Sequence, residues 1–277
     1  MAMSAIHRNE VFEQFLAHSL HHLQQDLFNQ DDSVLQTIKT LCISEIYSGR
    51  CDSAWRIHVA GAAAMVGART GIIKQWYQSM EALTALTSRG PLNNDEIHPI
   101  VVKEAILDLY SGYTPDLNDV FRQIGKGHAT ADTVYEMIQR DQMELRFPPD
   151  VQLDKAEVRQ YAACNTAYQH CALIHIYRKL ENYDATSPEV QYCVRTILDT
   201  VCGILPMNAL SPWALLTTPI FTAGCEAAGD DRDLVRTLLK DLHSTLRIKN
   251  ILRALDILEH QWSSKHAEIE SLDFIPY

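Results

Sequence analysis

The sequence lacks the cysteine spacing of a metal site and of a disulfide framework. No two of its seven cysteines are separated by two residues, and their number is odd. Structural zinc sites usually draw their ligands from closely spaced pairs, and disulfide frameworks are typical of secreted chains with an even cysteine count. We therefore predict reduced cysteines and no bound metal.

The motifs of common catalytic sites are also missing. The chain has no GxSxG nucleophile elbow, no HExxH pair, no GKS or GKT phosphate loop and no GxGxxG after a strand. These absences leave hydrolytic, phosphoryl-transfer and dinucleotide-dependent chemistry without support from the sequence. We predict no cofactor.

Long apolar runs and basic charge are scarce. Charged residues interrupt every apolar run before it reaches the length of a membrane span, and the N-terminus lacks the pattern of a signal peptide. The 35 acidic residues outnumber the 24 basic ones, and the resulting net charge of -11 repels nucleic-acid phosphates. We predict an intracellular protein that contacts no membrane and, by this chain alone, no nucleic acid.

The sequence does have the helical spacing of apolar residues almost throughout its 277 residues, 47% of which are hydrophobic. An apolar stripe over residues 11–27 predicts a first helix, and similar stripes continue to the end of the chain. The alternation typical of strands is absent. We predict one all-α domain over residues 1–277, with eleven or twelve helices and no regular solenoid repeat.

Three Ser/Thr-Pro pairs indicate helix starts, because proline at the first helical position loses no intrahelical hydrogen bond. They are Thr114-Pro115, Ser187-Pro188 and Ser211-Pro212. We also predict a helix over "EIHPIVVKEAILDLYSG" and a long helix from about Asp154 to about Leu180.

Five stretches, in this order, resemble the fungal-specific transcription factor domain, the regulatory region of fungal zinc-cluster regulators. They are "LQTIKTLCISEIYSGRCDSAWRIHVAGAAAMV", "IIKQWYQSMEALTALT", "AYQHCALIHIYRKL", "SPWALLTTPIFTAGCEAAGDDRDLV" and "NILRALDILEHQW". The resemblance covers nearly the whole chain. It implies an all-α fold of regulatory type and a role in sensing or regulation rather than catalysis.

The zinc cluster that reads DNA in such regulators has no counterpart in this sequence. Two explanations remain open: an excised regulatory domain, or a small protein that never had a DNA reader. Numbering from Met1 favours the second.

Pro219 lies inside an apolar stretch that otherwise predicts one helix from Pro212 to about Ala228. Because proline removes a backbone donor, we predict a bend that leaves the carbonyl near Leu215 without its partner and opens an apolar cavity. The predicted ligand-binding residues are Trp55, Trp213, Thr217 and Phe221. The alternative, a kink that only lets the helix curve over the core, stays open.

Three polar side chains on apolar helix faces are candidates for orienting a ligand or for catalysis: His58, His170 and Tyr177. Each has the alternative reading of a core side chain whose polar atoms bond to nearby groups. The spacing of the histidines in "YQHCALIHIYRKL" does not match a helical metal pair.

Three functions are compatible with these features. The first is a regulatory domain, nuclear in location, that binds a small, mostly apolar metabolite or a protein partner. The second is a stand-alone cytoplasmic enzyme of fungal secondary metabolism, a cofactor-independent cyclase or isomerase such as a Diels-Alderase, which needs only a shaped pocket and hydrogen-bond donors. The third is an interaction module without a ligand, including a homo-oligomer.

Overall fold

The fold is known from a computed structural model, which describes residues 14, 17, 18, 21, 32–49, 54–67, 71–92, 100, 104–206, 211–263 and 274–276. Within these residues the chain forms ten α-helices, and its β-structure is limited to two isolated bridges. The prediction of an all-α fold is confirmed. The first predicted helix, over residues 11–27, lies mostly outside the described residues.

The helices follow one another closely along the chain. Their bounds are α1 Asp32–Tyr47, α2 Ala54–Val66, α3 Ile72–Thr84, α4 Leu117–Lys126, α5 Ala131–Glu144, α6 Lys155–His175, α7 Pro188–Cys202, α8 Thr217–Glu226, α9 Asp230–Leu246 and α10 Lys249–Ser263. A π-helical turn, Ile176–Leu180, continues α6, and a 3₁₀ turn, Pro212–Leu215, precedes α8. In this described part, no helix is both long enough and apolar enough to cross a membrane.

Helix α6 lies at the centre of the fold and packs against α4, α5, α7 and α8. A capping box starts it: the Asp154 carboxylate accepts from the backbone N–H of Glu157, whose own carboxylate accepts from the N–H of Asp154. Its long run of buried residues includes polar ones such as Asn165 and Gln169. A helix buried on several faces must satisfy such groups internally.

A buried polar network satisfies them and ties α5 to α6. The Asp141 carboxylate accepts from the side-chain amides of Asn165 and Gln169, each over 2.7 Å. The Arg140 guanidinium donates to Asp141 over 2.5 Å and also pairs with the buried Asp116 carboxylate. Both buried carboxylates are therefore paired with the guanidinium, and Asp141 also accepts amide hydrogen bonds, which are the conditions under which buried ions are tolerated.

The helix expected to begin at Thr114-Pro115 begins at Leu117 instead. The backbone N–H of Leu117 donates to the Thr114 carbonyl in a tight turn, while the N–H of Thr114 donates to Asn165 Oδ1 over 2.9 Å. This segment is thus attached to α6 before α4 starts. The other two pairs start helical turns as predicted, α7 at Ser187-Pro188 and the 3₁₀ turn at Ser211-Pro212.

The prediction of a helix ending at Gly112 is wrong for its described residues, 100 and 104–112, which are irregular. The Asp108 carboxylate accepts from the N–H of Tyr110 and from the Ser111 hydroxyl, over 3.0 and 2.9 Å. Gly112 follows with a positive φ of 82°. These side-chain bonds stabilise a turn in place of a helix.

The single bent helix expected around Pro219 is also wrong. The 3₁₀ turn ends at Leu215 and α8 begins at Thr217, so Pro219 occupies the third position of α8. The N–H groups of a first helical turn have no intrahelical acceptor, and proline fits there without breaking the helix. The break therefore lies before Pro219 and does not result from a proline inside a helix.

Helix α8 then packs tightly against α9 and α10 through Gly224. A Cβ at this position would lie 2.6 Å from Leu258 Cδ1 and 3.1 Å from Val235 Cγ1. Such contacts are too short for real side chains, so the glycine is what allows these helices to approach. The close packing fixes the face that α8 presents on its other side.

Candidate functional site

A cavity of about 500 Å³ lies where the C-terminal ends of α3 and α6 meet α8. Residues 274–276 form its remaining wall. Apolar side chains make up much of the lining, with a few polar and charged groups among them. The lining residues are Leu83, Leu86, Thr87, Ser88, Ile174, His175, Arg178, Lys179, Thr218, Phe221, Thr222, Cys225, Glu226, Gln261, Phe274, Ile275 and Pro276.

The π-helical turn at the end of α6 brings charge to this cavity. Within it, Arg178 and Lys179 both reach the lining, one turn after His175. The widened turn ends with the N–H of Tyr183 donating to the carbonyl of Tyr177 over 2.8 Å. Single π-helical turns inside helices are frequent at functional sites.

The two cations of this turn are held differently. Arg178 Nε lies 2.9 Å from a carboxylate oxygen of Glu226, and the guanidinium also donates to the carbonyl of Tyr183. The Lys179 ammonium donates to the carbonyl of Leu86 over 2.7 Å. No ion pair joins Lys179 to a carboxylate in the described ranges. Lys179 is exposed, but the protein groups around it exclude part of its water, and this desolvation lowers its pKa.

The imidazole of His175 and the thiol of Cys225 are neutral in this environment. Desolvation holds the pKa of His175 well below its usual value, and the nearby Lys179 charge acts in the same direction. Burial raises the pKa of Cys225. The imidazole is therefore a neutral hydrogen-bonding group at the cavity wall, and the thiol is unreactive by the usual dependence on thiolate.

The C-terminal wall is attached to the helices by specific bonds. The Thr218 hydroxyl donates to the carbonyl of Pro276, and the Asn250 side-chain amide donates to the carbonyl of Ile275 over 3.0 Å. The ring of Phe274 packs on that of Phe221, with centroids 5.3 Å apart. A molecule in the cavity would contact this segment directly.

Comparison with known proteins identifies the chain's family. The family model of the fungal-specific transcription factor domain matches residues 7–128 and 129–275. The chain belongs to this family. The resemblance found in the sequence is thereby confirmed, and the family supports a regulatory role. No curated protein and no solved structure matches the chain.

Among the residues predicted to bind a ligand, Phe221 lines the cavity of this fungal-specific transcription factor domain. Thr217 and Trp213 are buried but lie outside the lining. The cavity face of α8 carries Thr218 and Thr222 beside Phe221.

The candidates His170 and Tyr177 lie on another flank of α6, away from the cavity lining. The buried His170 ring packs edge-to-face on Tyr192, and burial lowers its pKa to about 4. The Tyr177 hydroxyl lies 2.7 Å from that of Tyr135, and its ring stacks on Tyr183. His170 thus lies in the core, and Tyr177 lies in a cluster with Tyr135 and Tyr183.

Trp55 and His58 are on α2, which contributes nothing to the lining. Trp55 is buried, with the guanidinium of Arg56 over its ring at 5.4 Å. His58 Nε2 lies 3.1 Å from a carboxylate oxygen of Glu45 on α1. The partner of Trp55 is on the same helix, whereas the contact of His58 with Glu45 joins α2 to α1.

Sequence reasoning missed His175, Lys179 and the C-terminal wall. His175 and Lys179 lie in the stretch "YQHCALIHIYRKL" and are four residues apart, a spacing that places side chains on one helix face. This spacing, on the flank opposite His170, could have identified His175 and Lys179 as a pair from the sequence alone. No local pattern indicates that residues 274–276 return to α8.

Proposed function

We propose that this domain is a regulatory module that binds a small, mostly apolar molecule in the cavity between α3, α6 and α8. The observation that carries the proposal is the cavity itself. Its volume of about 500 Å³ falls within the roughly 300–1,000 Å³ range of small-molecule sites. Family membership supports regulation as the purpose of binding.

The C-terminal wall offers a route from ligand to regulation. Phe274 and Ile275 line the cavity, and hydrogen bonds from Thr218 of α8 and Asn250 of α10 attach this segment to the helices. A ligand that contacts this segment stabilises the position in which the segment lines the cavity. Ligand binding then shifts the population toward that position. A protein partner that recognises residues 274–276 would then distinguish the two states.

The location that fits this role is the nucleus, where a transcription regulator acts. With its net charge of -11, the chain would influence DNA through a partner or an attached DNA-binding segment rather than by its own contacts. A fluorescent fusion that stays outside the nucleus in fungal cells under all conditions would count against this location.

The test is binding of a neutral fluorescent probe, N-phenyl-1-naphthylamine, which brightens in apolar surroundings. We expect saturable binding to the wild-type protein and its loss in Leu86→Trp, because the larger ring fills the cavity from its α3 side. Leu205→Trp is the matched control, since Leu205 is exposed and lies outside the lining. Circular dichroism checks that both variants fold.

Saturable probe binding that Leu86→Trp abolishes and Leu205→Trp retains supports the proposal. Absence of binding to the folded wild-type protein contradicts it, and so does binding that a folded Leu86→Trp protein leaves unchanged.

One observation favours an enzyme as the second candidate. The cavity wall holds a neutral imidazole, His175, beside the cation Lys179, a pair suited to moving or donating a proton in an isomerisation. Chromatographic separation followed by NMR of candidate polyene or polyketide substrates before and after incubation tests this function, because an isomerisation leaves the mass unchanged. Conversion that His175→Asn abolishes while the probe still binds supports an enzyme, whereas recovery of every substrate unchanged supports a binding module.

A further inference from the structure

We infer that the ligand of this cavity is an amphiphile with a single anionic head group, a carboxylate, which pairs with Lys179. The inference rests on the proposed function and specifies the ligand's chemical class. It follows from the balance of charges around the cavity and from the distribution of apolar surface along its wall.

The described lining contains three charged side chains: Arg178, Lys179 and Glu226. Arg178 and Glu226 compensate each other through their 2.9 Å contact. Lys179 is left with one hydrogen-bond acceptor, the backbone carbonyl of Leu86. Within the described lining the cavity thus carries one net positive charge.

The Lys179 ammonium is exposed at the cavity lining and keeps hydrogen-bonding capacity for a ligand. Neighbouring protein groups remove part of its water, which lowers the pKa of Lys179. An ammonium can donate three hydrogen bonds, and the contact with Leu86 uses one of them. A carboxylate would accept a second one and compensate the charge, and charge-assisted hydrogen bonds of this kind are the stronger ones.

The neighbouring polar groups His175 and Cys225 carry no positive charge that would attract the anion away from Lys179. His175 is neutral, because its pKa is well below the usual value, and it offers a hydrogen bond without charge. The buried thiol of Cys225 is protonated, since its pKa is raised. Lys179 is therefore the one group of the described lining where an anion gains an uncompensated opposite charge.

The rest of the wall determines the other end of the ligand. Apolar side chains from four parts of the chain contribute to the lining, among them Leu83, Ile174, Phe221 and Phe274. Burial of apolar ligand surface against them is favourable in proportion to its area. The cavity thus suits an aliphatic or aromatic acid better than a compact polar anion.

A single positive charge also favours a carboxylate over a phosphate monoester. A phosphate group carries a charge of about −1.5 to −2 near neutral pH and would leave charge uncompensated beside Glu226. Arginine forks usually supply such recognition, and the one arginine of the described lining is already paired with Glu226.

The experiment displaces N-phenyl-1-naphthylamine with four decyl compounds: decanoate, 1-decanol, decyl phosphate and decyltrimethylammonium. Each is titrated, below its critical micelle concentration, against the wild-type protein, Lys179→Gln and Lys179→Arg. Lys240→Gln is the matched control, because Lys240 is exposed and lies outside the lining. The neutral probe reports on cavity occupancy independently of the charge of the competitor.

We expect decanoate to displace the probe from the wild-type protein at concentrations about tenfold lower than 1-decanol, the size expected for one charge-assisted hydrogen bond. The preference should disappear in Lys179→Gln, persist in Lys179→Arg and Lys240→Gln, and exceed that for decyl phosphate. Decyltrimethylammonium should be the weakest competitor.

Equal displacement by decanoate and 1-decanol, or a preference unchanged in Lys179→Gln, would overturn the inference while leaving the apolar cavity function intact. Stronger displacement by decyl phosphate would overturn the choice of carboxylate. Failure of the probe itself to bind the wild-type protein would instead refute the proposed function. A Lys179→Gln protein that binds the probe normally shows that loss of the preference is not loss of folding.

Discussion

The Tyr168 hydroxyl donates a hydrogen bond to the carbonyl oxygen of Leu215 over 2.7 Å. In a continuous helix that carbonyl would accept from residue 219, but Pro219 has no N–H to donate. A side chain of the central helix α6 thus satisfies the carbonyl at the break before α8. The Leu215 carbonyl therefore lacks a helical N–H donor, as predicted, and the Tyr168 hydroxyl takes the place of that donor.

Removing this hydroxyl should destabilise the protein. In Tyr168→Phe the part-buried carbonyl of Leu215 loses its donor, and an unsatisfied buried polar group costs about 1–3 kcal/mol. Urea denaturation measures the free energy of unfolding. Tyr110→Phe, at an exposed position, is the control and should change it by less than about 0.5 kcal/mol. Equal effects of the two changes would show that the Tyr168 bond adds no stability.

Pro219→Ala should change stability little, and in the unfavourable direction. Proline at the third position of α8 costs no intrahelical bond. Its replacement adds freedom to the unfolded chain, with an expected loss of about 0.4–1 kcal/mol. A proline in the middle of a helix would instead give a gain of about 3 kcal/mol on this substitution. A gain of that size in urea denaturation would restore the bent-helix hypothesis.

Asp141→Ala should be among the most destabilising single changes in the chain. It removes the acceptor of Asn165 and Gln169 and one of the two carboxylates that pair with Arg140. Breaking such a buried pair costs about 3–5 kcal/mol, so thermal denaturation should show a much lower midpoint. Asp256→Ala, at an exposed position on α10, is the control. A small effect at Asp141 would mean that water replaces the lost carboxylate.

Burial of His170 predicts a specific loss of stability in acid. Its pKa is about 4 in the folded protein, against 6.5 for the free side chain. Between these values the unfolded state binds more protons, so stability falls as the pH is lowered from 7. The expected loss by pH 5 is about 2 kcal/mol from this one group.

His175, whose pKa is also lowered, contributes in the same direction. Unfolding measured between pH 7 and pH 5 should therefore show a shallower dependence in His170→Leu than in the wild type. His260→Leu, an exposed position on α10, serves as the comparison. Identical slopes for His170→Leu and the wild type would contradict the burial of a neutral imidazole.

The sequence predicted the helices well because apolar spacing and caps are local signals. Asp154 and Ser187 start α6 and α7 where expected. The turn at Asp108 was missed, since its carboxylate bonds to its own loop and overrides an apolar pattern that looks helical. The missing N–H of Pro219 was also predictable from the residue type alone. The position of Pro219 within α8, however, depends on where the preceding 3₁₀ turn ends.

The cavity was harder to predict because distant segments form it together. Phe221 was found from its neighbourhood to Pro219, and it does face the cavity. Lys179 lies in the π-helical turn that continues α6, and the apolar spacing of the sequence does not predict such a turn. The contact of Phe274 with Phe221 joins positions far apart in the chain, and no local pattern encodes it.

The central claim is that an apolar molecule occupies the cavity between α3, α6 and α8. Its most direct test is a crystal structure of the protein with decanoate, at a concentration where probe displacement is complete. The account predicts electron density for the chain beside Phe221 and Ile174, with the carboxylate within hydrogen-bonding distance of Lys179 Nζ. Decanoate bound elsewhere while this cavity holds none would contradict it.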